Sequence, residues 1–572
     1  MTDVIIVGGG PVGLLLACEL KLGGADPLVL EAATGEERRT RSLGLRSLNA
    51  RTVQSLALRD LVEPVAGEQW AMLDDLAARR GPAGADVVAM MVELLRKGMI
   101  SGHFSGLPLL DEAGKAEYLM LKQDRLEAVL AERAAGLGVR IWQGCAVADV
   151  AQEESAAVAT LADGRTVRAA YLVGCDGGRS VVRKLSGFAF EGTPPTMTGR
   201  TAVAELASDE AVTSSLRHPG GLANLSLVPG EIATIEFDGG PRGRDAPMTA
   251  EELEGSLRRV TGHDVVVKGL EAGIRYGDNT RHAQTYRKGR VLLAGDAAHV
   301  HSPIGGQGLN LGLQDAFNLG WKLALVVRGL APEGLLDTYT AERHPVAARV
   351  LRNTRAQVAL MRPGPQVDAL REVLGEVIEL PEARRHFTGM ADGTAVDYAP
   401  GAAHPLVGRF APRLEAIPAA PPAGPAFETV RAAGALSEPE GGQPVPGPVG
   451  DGALPGAVGD RGVRGSVGAR TVAELLRDGR GLVLALSGAP GDGLDAAVDA
   501  AVDAAVDAAV AGHRDRVRVA HAATTAPADG MGGAGGAEVL LVRPDGYVAW
   551  AGGRDGVAEA LTTWFGPPRT AG

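Results

Sequence analysis

Residues 4–31 read "VIIVGGGPVGLLLACELKLGGADPLVLE", and no other stretch constrains the fold as strongly. A short β-branched run leads into a glycine turn, then into a helical pattern that stops on Gly23 and Gly24, then into a second apolar strand. That is a βαβ unit, which requires a parallel sheet with helices on its faces. Its turn is a GxGxxG motif. Gly8 permits the tight turn, Gly10 lets the backbone approach a pyrophosphate, and Gly13 lets helix and strand pack closely. Pro11 and Val12 open the helix whose N-terminus would face the phosphate charge. Glu31 ends the second strand, where a carboxylate accepts the ribose hydroxyls of an adenine dinucleotide. A purely structural glycine turn is the alternative, and the order of strand, helix and acid disfavours it.

Two further glycine blocks follow apolar strands. "GCDGGRSVVR", 174–183, is on its own an ordinary strand-to-helix turn with a basic first turn. "RVLLAGDAAHVHSPIGGQGLN", 290–310, is a buried strand ending on Asp296, a loop, and a helix expected from about Leu309. An aspartate at that place can bond a sugar hydroxyl, and the loop can present successive N–H groups beside a helix N-terminus, a setting for negative charge. His299 and His301 read as satisfied, partly buried histidines in preference to ligands or catalysts, since two histidines are too few for a metal site.

The chain has 572 residues, which sets an expectation of two or three domains. Apolar residues at 45% and charged residues at 22% fit a globular protein. A formal charge of −12 argues against nucleic acid or an anionic membrane as partner. "MTDVIIV" lacks the basic flank of a signal peptide, and no apolar run reaches the roughly 18 residues of a membrane span. Cys18, Cys145 and Cys175 form neither a disulfide framework nor a zinc site. A soluble, cytoplasmic protein is expected.

Residues 38–52 are basic and lead into a helix, 86–99 form an amphipathic helix, 102–110 a loop and strand, and 123–136 another helix. Residues 188–284 alternate short strands with turns, as a sheet domain inserted into the first fold would. Long helices follow to about 391. Residues 417–466 are crowded with Pro and Gly and read as loop or linker. "RGLVLAL" and "AEVLLVRPDGYVAW" are strands of a small α/β domain, and "AAVDAAVDAAVDAAV", 496–510, is a helix with an acidic stripe.

The three glycine blocks, in this order, resemble the single-component flavoprotein aromatic hydroxylases of the p-hydroxybenzoate hydroxylase type, the group A flavoprotein monooxygenases. A closer resemblance, to bacterial hydroxylases of aromatic polyketides of the angucycline type, rests on "GHFSGLPL", "YLVGCDGGRSVVRK", "GDNTRHAQTYRKGRVLLAGD", "NLGWKLA", "LLDTYTAERHPV", "HPLVGR" and "LVRPDGYVAW". It covers nearly the whole chain, except around 66–99 and in a Pro/Gly-rich insertion at 433–466. The resemblance implies an α/β fold. A Rossmann-like FAD-binding domain would come from 1–101, 123–187 and 285–400 (the last with long helices). A strand region at 102–122 and a mixed sheet at 188–284 would bind substrate. Residues 401–572 would form a thioredoxin-like C-terminal domain. That domain contains no cysteine, so thiol–disulfide chemistry is excluded there and a structural or interface role is expected.

The resemblance also implies non-covalent FAD, NADPH or NADH as transient donor, and O2. Glu31 would hold the adenosine ribose. Arg46, Gln123 and Arg125 would contact phosphates or ribityl, Asp176 and Gly177 would bind FAD and aid the NADPH encounter, and Asp296 would hold the ribityl chain. The loop Pro303, Gly305, Gly306, Gly308, Leu309 and Asn310 would run along the flavin ring. Its glycines would be needed because side chains would block the ring. Substrate-lining candidates are His103, Phe104, Arg217, Leu225 and Phe237. The implied reaction inserts one oxygen of O2 into an aromatic polyketide through a flavin C4a-hydroperoxide, in antibiotic biosynthesis. Two alternatives use the same scaffold: Baeyer–Villiger insertion, and a polyketide-binding flavoprotein that does not oxidise. A homodimer is compatible with the resemblance, and no metal is implied.

Overall fold

A computed structural model describes residues 2–35, 37, 43–80, 87–208, 212, 217–225, 228, 230–243, 246–412, 414–418, 470–487, 504–523 and 537–569. The Pro/Gly-rich stretch 433–466 and the first half of the 496–510 repeat lie outside these residues. Residues 504–510 are helical.

The first strand, Val4–Val7, is buried along its length and pairs in parallel with Pro27–Leu30 on one side and Tyr171–Gly174 on the other. Continuous apolar strands of this kind suit a parallel sheet covered on both faces. Val291–Leu293 and Arg140–Trp142 extend the sheet in parallel, and Arg287–Lys288 closes one edge antiparallel. The helix Pro11–Leu22 crosses the sheet and packs on the long helix Gln307–Val327. They approach so closely at Gly320 that a Cβ there would lie 2.3 Å from the Cβ of Glu19. The long helix starts at Gln307, two residues before the expected Leu309.

Beyond this sheet, five antiparallel strands run in the order Arg217–His218, Gly221–Leu225, Glu231–Glu236, Thr198–Leu206, Val267–Gly277. The expectation of strands and turns alone over 188–284 misses one element: the helix Ala250–Thr261 backs this sheet. Its signals are local. The Thr249 side chain caps the Glu252 N–H, Glu251 and Glu252 favour the first turn, and Gly262 closes the helix in the left-handed region at φ +79°. Two other local readings change. Residues 102–110 belong to a hairpin of Ile100–Phe104 and Leu107–Leu110, and a strand, Leu45–Leu48, precedes the helix Ala50–Ala57. Helices Val62–Arg80 and Val87–Arg96 fill the stretch whose placement the sequence left open.

Long helices Asp337–Met361, Pro365–Glu379 and Pro381–Ala391 lead to the last body. There Gly481–Ser487 and Val517–Ala523 pair in parallel, and Val539–Val542 and Val548–Gly552 add antiparallel strands joined by the Pro544–Asp545–Gly546 turn. With the helix Val557–Phe565, this is a thioredoxin-like arrangement. Among the described residues, no helix is long and apolar enough to cross a membrane.

Buried ions fasten this body to the first. Arg59, 1% exposed, makes two 2.6 Å bonds to the Glu19 carboxylate. It also donates to the carbonyls of Leu476 and Pro544 at 2.9 Å. Arg543 spans from Asp545 to Glu342, which also accepts from Lys322 and Asn318. Burial opposes the Glu342 charge, but Arg543 and Lys322 more than reverse this and bring its pKa down to about 2. Removing one member of such a pair strands a buried charge. Arg59→Met is expected to destabilise the protein by about 3–5 kcal/mol, and Glu19→Leu with Arg59→Met to recover most of that loss. Thermal and denaturant unfolding of the single and double variants measure both.

Candidate functional site

A continuous cleft of about 1390 Å³ runs from the first glycine turn to the five-stranded sheet. At one end Gly8, Gly10, Pro11 and Val12 form its wall. Gly8 has φ +106°, and a Cβ on it would lie 2.4 Å from the Cys175 carbonyl oxygen. A Cβ on Gly13, behind the wall, would lie 2.0 Å from the Gly8 oxygen, while Gly10 faces open space. The contacts of Gly8 and Gly13 fit a tight turn and close helix packing, and Gly10 is left with room beside it. Glu31 also lines the cleft. Its carboxylate is fixed by the N–H groups of Gly9 at 2.6 Å and Ala33 at 2.7 Å, with lone pairs left over.

Farther along, Arg46 and Gln123 line the cleft together, with Arg46 Nε donating to Gln123 Oε1 at 3.0 Å. Burial lowers the Arg46 pKa, and Asp296 is the first of the groups that oppose the shift. Asp176 and Gly177 face the same space. One Asp176 oxygen accepts from the N–H groups of Val181 and Val182, and the other is buried without a partner among the described residues. Asp296, Pro303, Gly305, Gly306, Gly308 and Leu309 form the middle wall. Asn310 stands behind it, donating to the carbonyls of Ser47 at 2.8 Å and Gly306 at 2.9 Å, so it fixes the loop and does not line the cleft.

The expected reason for the loop glycines needs correction. Gly305 and Gly306 sit at φ +92° and +64°. A Cβ on Gly305 would meet the Gln357 amide at 2.7 Å, and one on Gly306 would meet Ser47 Oγ at 2.3 Å. At Gly308 it would meet the His301 ring at 3.3 Å. Backbone conformation and protein neighbours therefore demand glycine at 305 and 306, whatever lies in the cleft.

His299 is satisfied at one ring nitrogen only, since its Nδ1 is buried without a partner among the described residues. It is fully buried, and its Nε2 lies 2.7 Å from Asp315 Oδ2. His301 lines the cleft; its Nδ1 donates to the Ser302 carbonyl, and its Nε2 is buried without a partner among the described residues.

Of the substrate candidates, only His103 lines the cleft by its described side chain; its Nδ1 accepts from the Gly106 N–H. Phe104 points away and packs on Phe387 at 4.8 Å. Arg217 pairs with Asp368 at 2.6 Å. Phe237 lies under the Arg362 guanidinium. Leu225 ends its strand, and its side chain is outside the described part. Arg125 is 61% exposed and sits 3.9 Å from Glu68, away from the cleft. The sheet's contribution comes instead from Thr201, Leu222, Asn224, Ile235 and Tyr276, with Met361 from the long helix. Alternation carries this signal: 222 and 224 share a face, as do 274 and 276. Gly199 pairs with Tyr276 and leaves room for its ring, since a Cβ there would lie 2.0 Å from it.

The donors present suit a dinucleotide. Gly10 offers bare backbone at a helix start, Glu31 spare lone pairs, and Asp176 an unpartnered oxygen. Residues 1–354 match the family described as FAD binding domain, and 454–568 the one described as aromatic-ring hydroxylase, C-terminal. The chain belongs to the FAD-dependent aromatic-ring hydroxylases, which are flavoprotein monooxygenases. Its cofactor is FAD, with NAD(P)H and O2 as co-substrates and a small aromatic molecule as substrate. The 12-dehydrotetracycline 5-monooxygenase/anhydrotetracycline 6-monooxygenase of Streptomyces rimosus is 35% identical over 99% of each chain. The crystal structure of CabE, an aromatic hydroxylase from angucycline biosynthesis, superposes with a TM-score of 0.73 at 35% identity, over 99% of this chain and 100% of that one. The dialkyldecalin synthase of Streptomyces rugosporus is 32% identical over 99% of this chain and 100% of its own.

Two outcomes are expected. Gly306→Ala forces an L-residue into the left-handed region, at about 1–2 kcal/mol before the clash with Ser47, and should weaken FAD binding by moving the loop. Thermal melting and FAD titration of the apoprotein test it, and unchanged affinity would show that loop position is immaterial. The second concerns pH. Behind the loop, His282 stacks on His344 at 3.9 Å, bonds Tyr286 at 2.6 Å, and sits near His299 and Asp315. Burial, then His344 and His299, push its imidazole from 6.5 down to about 3. The unfolded chain then binds this proton first. Stability should fall as pH drops from about 6.5 towards 3, and His282→Phe should flatten that dependence in melts across the pH range.

Proposed function

We propose that this enzyme hydroxylates an electron-rich ring of a fused-ring aromatic polyketide in antibiotic biosynthesis, in the cytoplasm. The observation that carries the reading is the unbroken cleft from the Gly8–Glu31 cradle, past the 303–308 loop, to a floor of Leu222, Ile235, Tyr276 and Met361. The tetracycline and angucycline relatives, similar along the full chain, support the substrate class.

In this reading Gly8, Gly10, Pro11, Val12 and Gly13 receive the FAD pyrophosphate, Glu31 the ribose, Arg46 and Gln123 the phosphate and ribityl region, and Asp296 the ribityl chain. Bound FAD supplies hydride acceptance from NAD(P)H and the activation of O2. The chain does the rest. The 303–308 loop and the N-terminus of the 307–327 helix offer N–H dipoles to negative charge on the flavin ring. Leu222, Ile235 and Met361 exclude water from the reacting face. Thr201, Asn224 and Tyr276 supply hydroxyl and amide groups that orient a phenol. Burial raises the Tyr276 phenol, which keeps it a donor.

The test is NADPH oxidation by purified protein with a panel of phenolic tetracycles, with products identified by mass and NMR. Substrate should accelerate NADPH oxidation and yield a ring-hydroxylated product, and Asp296→Ala should lower bound FAD. A lactone would instead mean insertion beside a ketone. A product of unchanged mass without NADPH consumption would overturn the reading.

A further inference from the structure

The hairpin of Ile100–Phe104 and Leu107–Leu110 ends in a tip that the protein holds in a costly shape. Ser105 is a buried non-glycine residue at φ +54°, in the left-handed region. Its backbone N–H donates to Gln357 Oε1 at 3.0 Å and its hydroxyl to the Gln357 backbone carbonyl at 3.2 Å, while its own carbonyl accepts from Arg371 at 2.7 Å. Arg371 also donates to the Leu360 carbonyl at 3.1 Å, beside the floor residue Met361. A Cβ on Gly305 would meet the same Gln357 amide. The tip is thus braced against one stretch of helix, 357–361, that also adjoins the 303–308 loop and the cleft floor.

His103 stands two residues before Ser105 and lines the cleft together with Gly106 and Pro108. The Gly106 N–H donates to its Nδ1 at 3.2 Å. A backbone N–H can only donate, so Nδ1 carries the lone pair and the neutral ring keeps its hydrogen on Nε2. A second proton would have to sit on Nδ1, facing that N–H, and burial further favours the neutral ring by lowering its pKa. Among the described residues Nε2 has no hydrogen-bond partner. Unlike His299 Nδ1 and His301 Nε2 it is not closed off, and it belongs to a half-buried ring on the cleft wall. A strained tip, over-determined by its neighbours, thereby presents one free N–H donor to the cleft.

We propose that His103 is a specificity residue for the substrate: its neutral imidazole donates from Nε2 to a carbonyl oxygen of the bound polyketide, so that the enzyme selects fused rings carrying a ketone or quinone. The assignment rests on the reading of the cleft as a polyketide site. A carbonyl oxygen offers two lone pairs, whereas a phenol oxygen shares its own with the ring and accepts weakly. The sheet meets the substrate with Thr201, Asn224 and Tyr276, and His103 meets it from a different element, the hairpin. The carbonyls of FAD offer the same chemistry, so FAD binding is measured alongside.

The experiment titrates holoenzyme with a phenolic tetracyclic ketone and with its deoxo analogue, CH2 in place of C=O, by the shift in flavin absorption. It also titrates apoprotein with FAD by flavin fluorescence. The enzymes are wild type, His103→Leu and His103→Gln, since glutamine keeps an N–H donor and leucine has none. Wild type should bind the ketone about 3- to 10-fold more tightly than the deoxo compound, His103→Leu should lose that preference, and His103→Gln should keep most of it. The FAD Kd should be equal in all three. A preference that survives in His103→Leu overturns the proposal, as does an equal loss of affinity for both compounds. A raised FAD Kd with unchanged preference assigns the donor to a flavin carbonyl and overturns it too. Should His103→Leu fail to fold, the ¹⁵N resonances of His103 in wild type, assigned through His103→Gln, decide. They move on adding the ketone and hold with the deoxo compound, and a like response to both overturns the proposal. Wild type that binds neither compound refutes the polyketide reading and the assignment with it, whereas binding of both without the stated preference refutes the assignment alone.

Discussion

The Asp315 carboxylate is the point on which the cofactor wall turns. It is fully buried and accepts from the Gly295 N–H at 3.0 Å, from Arg343 Nε at 2.8 Å, and from His299 across 2.7 Å. Burial works against its charge, but His299 and Arg343 more than reverse that and hold its pKa below the ordinary carboxylate range. Four segments thereby share one anion: the end of the 291–293 strand, the strand 299–300, and the helices 307–327 and 337–361. Asp296 adjoins the tied Gly295, so its aim depends on a charge that itself never reaches the cleft. Removing any one donor would leave the others around a buried anion, which is why such networks behave as a unit.

The same helices carry the network to the C-terminal body. Arg343 donates to the Tyr398 hydroxyl at 3.0 Å, the Tyr398 and Tyr547 rings pack tilted at 4.3 Å, and the neighbouring Glu342 meets Arg543. The thioredoxin-like body thus reaches the cleft through packing and ion pairs, consistent with its lack of cysteine. Its fold supplies a rigid sheet whose Pro544–Asp545–Gly546 turn offers a carbonyl to Arg59 and a carboxylate to Arg543.

Legibility in the sequence followed how local the determining physics is. Gly8, Gly13 and Glu31 could be read because a turn, a close approach and a strand end are set within some twenty residues. The Thr249-capped helix was equally local and was overlooked because its neighbours on both sides are strands. Phe104, Arg217 and Phe237 could not be placed, since alternation tells which residues share a face but not which face meets the cleft. Arg125 failed for a related reason. On the helix 123–136, Gln123 faces Arg46 and Arg125 two positions on points to another side, as a 3.6-residue period requires.

The two histidines of "HVHS" show the same limit at the smallest scale. Strand alternation puts 299 and 301 on one face, so sequence treats them alike. The strand ends at Val300, however, and the chain turns towards the loop. His299 is left against Asp315, to which its Nε2 donates, and His301 is left in the cleft wall with its Nδ1 donating to the Ser302 carbonyl. One residue of strand termination therefore separates a histidine tied to Asp315 from one on the cleft wall, and that boundary is set by how the sheet, the two long helices and the loop close around Asp315.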